Sequence, residues 1–175
     1  MRSLTRSGTY LRVFSPDWSD PLDTTPSRIS GGRWNPPGAF GALHLCADRT
    51  VAAANARAQH AGRAIGLFDL EPERRPHVLQ LHVPRSTCVD VVTAAGVGDV
   101  RLPARYPFGV GHDRCRRIGQ AAYRDGSYRG IACRSAAECR PTAWVGEELA
   151  WFDSAPVLSE DGRADFANWY PDPIP

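Results

Sequence analysis

Residues 31–46 read GGRWNPPGAFGALHLC, and the reading of this stretch decides the reading of the rest. Two glycines (Gly31, Gly32) and a Pro-Pro-Gly turn enclose an arginine (Arg33), a tryptophan (Trp34) and an asparagine (Asn35). A turn requires only the glycines and prolines. The three added side chains suit ligand recognition: glycine lets backbone approach a ligand closely, and a guanidinium grips phosphate with two parallel N–H···O bonds. An indole offers a flat face for stacking, and an amide orients a hydroxyl. A packed turn, with Trp34 in the core and Arg33 solvated, is the plain alternative. Residues 40–46 alternate as a half-buried strand does. Asp48 then caps an alanine-rich helix over residues 50–62, closed by Gly62.

Working outward, residues 9–14 (TYLRVF) read as a first strand carrying Arg12, and residues 15–30 as a Ser/Pro/Asp-rich loop. Residues 67–76 read as an exposed loop. Residues 77–83 (HVLQLHV) give the clearest period-two alternation, and residues 88–92 (CVDVV) read as a separate short strand. A Gly/Pro-rich segment over 95–111 precedes a helix over 112–123. Residues 130–133 (GIAC) form an apolar strand that ends at Arg134-Ser135, and residues 148–152 (ELAWF) the last strand. Strands and helices neither alternate strictly nor segregate, which points to an α+β fold. The chain of 175 residues is expected to form one domain, with its core at about 8–153. Residues 154–175, where Phe166, Trp169 and Tyr170 mix with Pro171, Pro173 and Pro175, are expected as a loosely packed tail.

Composition excludes several classes of chemistry. The formal charge of +2 argues against a dedicated nucleic-acid binder. No apolar run is long enough to span a membrane, and the N-terminus lacks an apolar secretory segment, so the expected location is the cytoplasm. All 21 basic residues are arginines, which removes Schiff-base lysines and the lysine of a phosphate loop. Five cysteines without a CxxC pair and five scattered histidines give no metal-binding spacing.

Taken together, GGRWNPPG, the strand directly after it, the alanine-rich helix and the late GIACRS segment resemble the RES-domain family over residues 10–152. Characterised members of that family include toxins of Xre–RES toxin–antitoxin modules. The resemblance implies a fold similar to ADP-ribosyltransferases and NAD⁺ as substrate. The nicotinamide–ribose bond would be broken by hydrolysis, phosphorolysis or transfer of ADP-ribose. By position, Arg33 matches the motif arginine, Arg12 the arginine of the first strand and Ser135 the late serine. Two positions depart, which marks a divergent subgroup. His44 stands where the family carries tyrosine, and Asn55 where it carries a helix glutamate.

Glycosidic cleavage develops positive charge on the sugar, which a carboxylate stabilises; asparagine carries no charge. His44 could compensate as donor or general base, or be an ordinary strand histidine. Glu147 and Glu148, in WVGEELAWF, are the nearest candidates for a relocated acid, but they read more simply as a solvated strand entrance. On these grounds a gain of turnover in Asn55→Glu would show that the missing carboxylate limits the rate.

Three functions are therefore carried forward. The first is an NAD⁺ glycohydrolase, phosphorylase or ADP-ribosyltransferase using Arg12, Arg33, His44, Asn55 and Ser135. The second is an inactive NAD⁺- or ADP-ribose-binding module. The third is a toxin governed by an Xre-type helix-turn-helix antitoxin. The sequence is silent on acceptor and oligomeric state.

Overall fold

The computed structural model describes residues 1–140 and 143–171. In chain order the elements are β1 (Ser3–Phe14), α1 (Thr25–Ser30), β2 (Ala42–Cys46), α2 (Arg49–His60), β3 (His77–Val91), α3 (Ala94–Asp99), α4 (His112–Asp125), β4 (Gly130–Arg134), β5 (Cys139–Arg140), β6 (Ala143–Trp144), β7 (Glu147–Phe152), β8 (Ser159–Ala164) and α5 (Phe166–Trp169). Six strands form one sheet in the order β1-β2-β7-β4-β3-β8, and β5 and β6 form a small separate hairpin. β1 pairs with β3 as well as with β2, so five of the strands close into a ring. Among the described strands only β3 and β4 run parallel, and the crossover that such a pair requires carries α3 and α4. This single mixed sheet with flanking helices bears out the α+β reading.

Strand alternation sorts the apolar residues onto two faces. Leu45, Leu81, Leu149 and Trp151 fill one core, while Trp34, Phe40, Ile131, Cys133 and Phe152 fill another. A third cluster joins Val51, Ala52 and Ala56 of α2 to Leu11 and Val13 of β1 and to Phe166 and Trp169. The alanine run of α2 thus supplies a smooth face that lets the helix lie close on the sheet.

The structure corrects the boundaries in four places. β1 begins at Ser3 rather than residue 9. The strands read separately at 77–83 and 88–92 are one strand of 15 residues. Proline cannot donate to a ladder, and the register passes from Arg6↔Ser86 to Gly8↔Val83. Pro84 and Arg85 therefore sit opposite Ser7 alone, a bulge that absorbs the proline. The segments read as loop over 15–30 and 95–111 contain α1 and α3, six residues each. Residues 154–171 do not form a loose tail: β8 pairs along β3, and Trp169 is 1% exposed, its indole N–H donating to the Pro76 carbonyl. Its aromatic neighbours give the reason, since Phe166 stacks on Tyr170 at 4.4 Å and such rings lose contact with water only by packing together. Pro173 and Pro175 lie outside the described residues. Among the described residues no helix is long and apolar enough to cross a membrane.

A close approach of α4 fixes the position of the 31–38 turn. A Cβ on Gly119 of α4 would stand 1.7 Å from the carbonyl oxygen of Trp34. Gly119→Ala is therefore expected to destabilise the fold by about 3 kcal/mol, the upper end for overpacking, read as a fall in the urea midpoint.

Candidate functional site

The turn is built from its own ends. Gly31 takes φ +70°, and a Cβ there would meet Pro37 Cδ at 2.7 Å, so glycine is required. Gly32 N–H donates to the Asn35 carbonyl at 2.9 Å, and Gly38 N–H to the Arg28 carbonyl at 2.7 Å. The Asn35 side chain is fully buried and its amide donates to the carbonyls of Ser27 (2.8 Å) and Phe40 (3.0 Å). Trp34 is 1% exposed and its indole N–H donates to the Cys133 sulfur at 3.2 Å. Two of the three chemically rich side chains of the motif thus brace the turn. Arg33 and Trp34 both border the smaller cavity, and Arg33 Nη1 is buried with no hydrogen-bond partner among the described residues.

Two cavities adjoin at the turn. The larger, about 580 Å³, is lined by Arg12, Asp17, Trp18, Asp20 and Asp23 among others. The smaller, about 260 Å³, is lined by Arg33, His112 and Ala136 among others. His44, Asn55 and Glu148 line both and form the partition.

The partition follows from strand geometry. In β2 and β7, His44 faces Ala150 and Cys46 faces Glu148, so His44 and Glu148 are diagonal neighbours on one face. Asn55 reaches them from α2, donating to Glu148 Oε1 at 3.1 Å. Ser135, at the end of β4, donates to the same oxygen at 2.5 Å. The Ser135 hydroxyl oxygen itself accepts from the Ala137 and Glu138 N–H groups at 3.2 and 3.0 Å, which fixes its proton toward Glu148. Ser135 is fully buried and lines neither cavity.

Glu147 points the other way, as the next residue on a strand must, and forms an ion pair with Arg6 at 2.5 Å. The reading of both glutamates as a solvated strand entrance therefore fails. One is paired on the opposite face, and the other lies at the centre of the site. Period two was the available signal, because it places Glu148 in phase with Ala150 and Phe152 and out of phase with Glu147.

Burial holds the His44 imidazole below the ordinary histidine range. Glu148 opposes that effect, while Arg12, Arg33 and His112 reinforce it, so His44 is neutral at pH 7. Its Nε2 lies where a Cβ on Gly32 would come within 2.9 Å, so the second glycine is what admits the ring. Arg12 is separated from Arg33 by the partition. Its Nε donates to the Pro21 carbonyl and its guanidinium lies 5.7 Å from the Trp18 ring centre. Burial pushes it down to about 10, which leaves it a cation. Burial also keeps the Cys46 thiol, in the wall of the larger cavity, protonated. Among the described residues no cluster of three or more His, Cys, Asp or Glu is placed to hold a metal.

Of the residues singled out in the sequence, Arg33, His44, Asn55 and Ser135 converge on Glu148, and Arg12 borders the same partition from the larger cavity. Gly31 and Gly32 shape the turn, and Trp34 and Asn35 hold it in place. Glu148 and His112 are the additions.

No curated protein matches the chain at a significant level. Among solved structures, a chain of the crystal structure of the M. tuberculosis MbcT–MbcA toxin–antitoxin complex is similar in fold, with a TM-score of 0.76. It is 20% identical, and the alignment covers 93% of this chain and 86% of that one. The RES domain matches residues 9–170. The segments GGRWNPPG and GIACRS thus fall within a match that takes in nearly the whole sequence, and the protein belongs to the RES domain family.

Proposed function

We propose that the protein cleaves the nicotinamide–ribose bond of NAD⁺ and acts as the toxin of a toxin–antitoxin pair. The observation that carries the chemical part is the Glu148 carboxylate. One of its oxygens is fixed by Ser135 and Asn55, it stands between two cavities, and neutral His44 and cationic Arg33 flank it. The toxin part rests on family membership and on fold likeness to a chain of a toxin–antitoxin complex. The same likeness supports a protein antitoxin as partner; the Xre type follows from the family resemblance.

In the proposed step the bond from ribose C1′ to the nicotinamide nitrogen breaks. Its electron pair leaves with nicotinamide, which departs neutral, and positive charge develops on the sugar. The second oxygen of Glu148 has no hydrogen bond within the protein among those described, so it is the one available to that charge. Arg33 holds the phosphates, and Asn55 and Ser135 hold Glu148 rather than the substrate. A nucleophile then adds at C1′, with neutral His44 in reach of the partition to accept its proton. A binding module without turnover is the second reading. It is favoured by Asn55 at the family's glutamate position and opposed by Glu148 beside it.

Incubation of pure protein with NAD⁺ is expected to release nicotinamide, and absence of release at high enzyme concentration would refute the catalytic reading. Glu148→Gln keeps the shape and removes the charge. It is expected to lower kcat by roughly 10²–10³-fold, the range for losing one preorganised group, while ADP-ribose still raises the melting temperature. Asn55→Glu tests the position that the family resemblance gives to glutamate. It replaces a donor to Glu148 with a second carboxylate about 3 Å away, two like charges that resist joint ionisation, so turnover falls.

A pH experiment reads the partition directly. The folded state holds His44 below its ordinary range, so the unfolded chain takes up the proton first as pH falls. Stability is therefore full above about pH 6.5 and declines below it. Urea unfolding between pH 5 and 8 is expected to show that decline, and His44→Gln to reduce it to the part that His112, held low by its own burial, contributes.

A further inference from the structure

Ser135 serves Glu148 only while its hydroxyl proton points there, and that direction is set from outside β4. The N–H groups that occupy its oxygen belong to Ala137 and Glu138, at 3.2 and 3.0 Å. Both lie in the turn that follows the strand, so the geometry of the site extends to whatever holds that turn.

Packing holds part of it. Ser135 N–H donates to the Gly146 carbonyl at 2.8 Å. A Cβ on Gly146 would stand 3.3 Å from Ser135 Cβ, 3.1 Å from Glu138 Cβ and 2.6 Å from Val51 Cγ2. Both ends of the turn therefore rest on Gly146, which stops them from moving closer and does not stop the turn from lifting away. Ala136 and Ala137, between those ends, border the smaller cavity and carry only methyl groups. Glu138 is the residue of the turn whose side chain can anchor it.

The Glu138 carboxylate stands 3.9 Å from Arg57 Nη2. Arg57 belongs to α2, the helix that brings Asn55 to Glu148. Its Nη1 donates to the Tyr170 hydroxyl at 2.8 Å, and Tyr170 is itself stacked on Phe166. The Arg57 side chain is 49% exposed, and so exposed an ion pair contributes little alone, because fixing a long side chain in one geometry costs entropy. The bond to Tyr170 reduces that cost, since it holds the guanidinium in place before Glu138 reaches it.

We propose that Arg57 is a positioning residue: through Glu138 it holds the 136–138 turn, and so keeps the Ser135 proton on Glu148. Arg57 and Glu138 line neither cavity, so the effect on the site passes through Ser135. The inference rests on the catalytic reading for its consequence in turnover, but not for its consequence in the turn.

Two measurements test it, one of them without substrate. Hydrogen exchange followed by NMR reads the Ala137 and Glu138 amides. Arg57→Ala is expected to speed both by roughly two- to five-fold, the factor an exposed ion pair contributes. The Val51 amide, capped by Asp48 on the same helix, should be unchanged, and α2 persists because alanine is the best helix former. The second measurement is nicotinamide release from NAD⁺. Arg57→Ala is expected to lower kcat on the order of five-fold, within the range for coupled members of one hydrogen-bond network. In a Ser135→Ala background it should have no further effect, because the hydroxyl through which it acts is gone.

An equal fall in that background would show a general structural role and overturn the proposal. So would unchanged exchange at Ala137 and Glu138, or acceleration spread evenly along α2. Exchange that depends on Arg57 in a protein that releases no nicotinamide sustains the tie and removes the catalytic reading. Nicotinamide release with kcat and exchange unaltered by Arg57→Ala does the reverse.

Discussion

The site depends on how Trp34 is held. Its carbonyl oxygen rests against α4 where only a glycine fits. Its ring is buried beside Tyr106, 6.1 Å between centres, and its indole N–H is engaged by Cys133 of β4. A residue gripped by a helix on its backbone and by a strand on its side chain has no freedom to rotate. Burial supplies most of the energy, since an indole is among the largest apolar surfaces a protein can remove from water. Its neighbour Arg33 inherits the fixed direction. Asn35 performs the same service on the other side, tying the turn to α1 and to Phe40. The motif is one part-exposed arginine in a frame of two buried, hydrogen-bonded side chains.

The same division of labour explains the acid. Charge stabilisation depends on where a carboxylate stands, not on the element that delivers it. The position on α2 that the family resemblance assigns to glutamate holds Asn55, and the carboxylate at that place comes from β7, across the interface between helix and sheet. Asn55 is then a donor to the acid rather than its replacement. Ser135 completes the arrangement from β4, its own oxygen saturated by two backbone N–H groups so that its proton has one direction left. Three elements distant in sequence meet at one oxygen atom.

How much of this the sequence disclosed can be argued from the same residues. The strand of residues 40–46 and the helix after it were legible because their periodicities are local and their cap, Asp48, accepts from Val51 N–H as an N-cap should. The long β3 was not, because Pro84 marks a strand end unless a bulge absorbs it, and the strand against which that bulge forms lies 75 residues upstream or more. The residues 154–171 were misread for a similar reason: their aromatics find their contacts on β3 and α2, not on one another alone. Within the site, Arg33 and Ser135 were visible as motif members. Glu148 reads in the sequence as a pair with Glu147, although strand alternation separates the two and only tertiary contacts show which face carries Asn55.

The energetics of the partition argue for a site shaped by something other than stability. Arg12 is pushed down to about 10 by burial, His44 is kept neutral by burial and by two arginines, and Arg33 buries an N–H without an acceptor. Each condition raises the free energy of the folded chain, and a core of ordinary side chains would avoid all three. Groups held so against their own preference concentrate where a ligand is recognised. An anion held beside Arg33 would relax the field that keeps His44 unprotonated. The stabilisation regained by binding would grow with ligand concentration as mass action requires. Stability surrendered by the protein alone and recovered on binding is the thermodynamic signature of a preorganised site, and the three groups that carry it all lie along the wall formed by His44, Asn55 and Glu148.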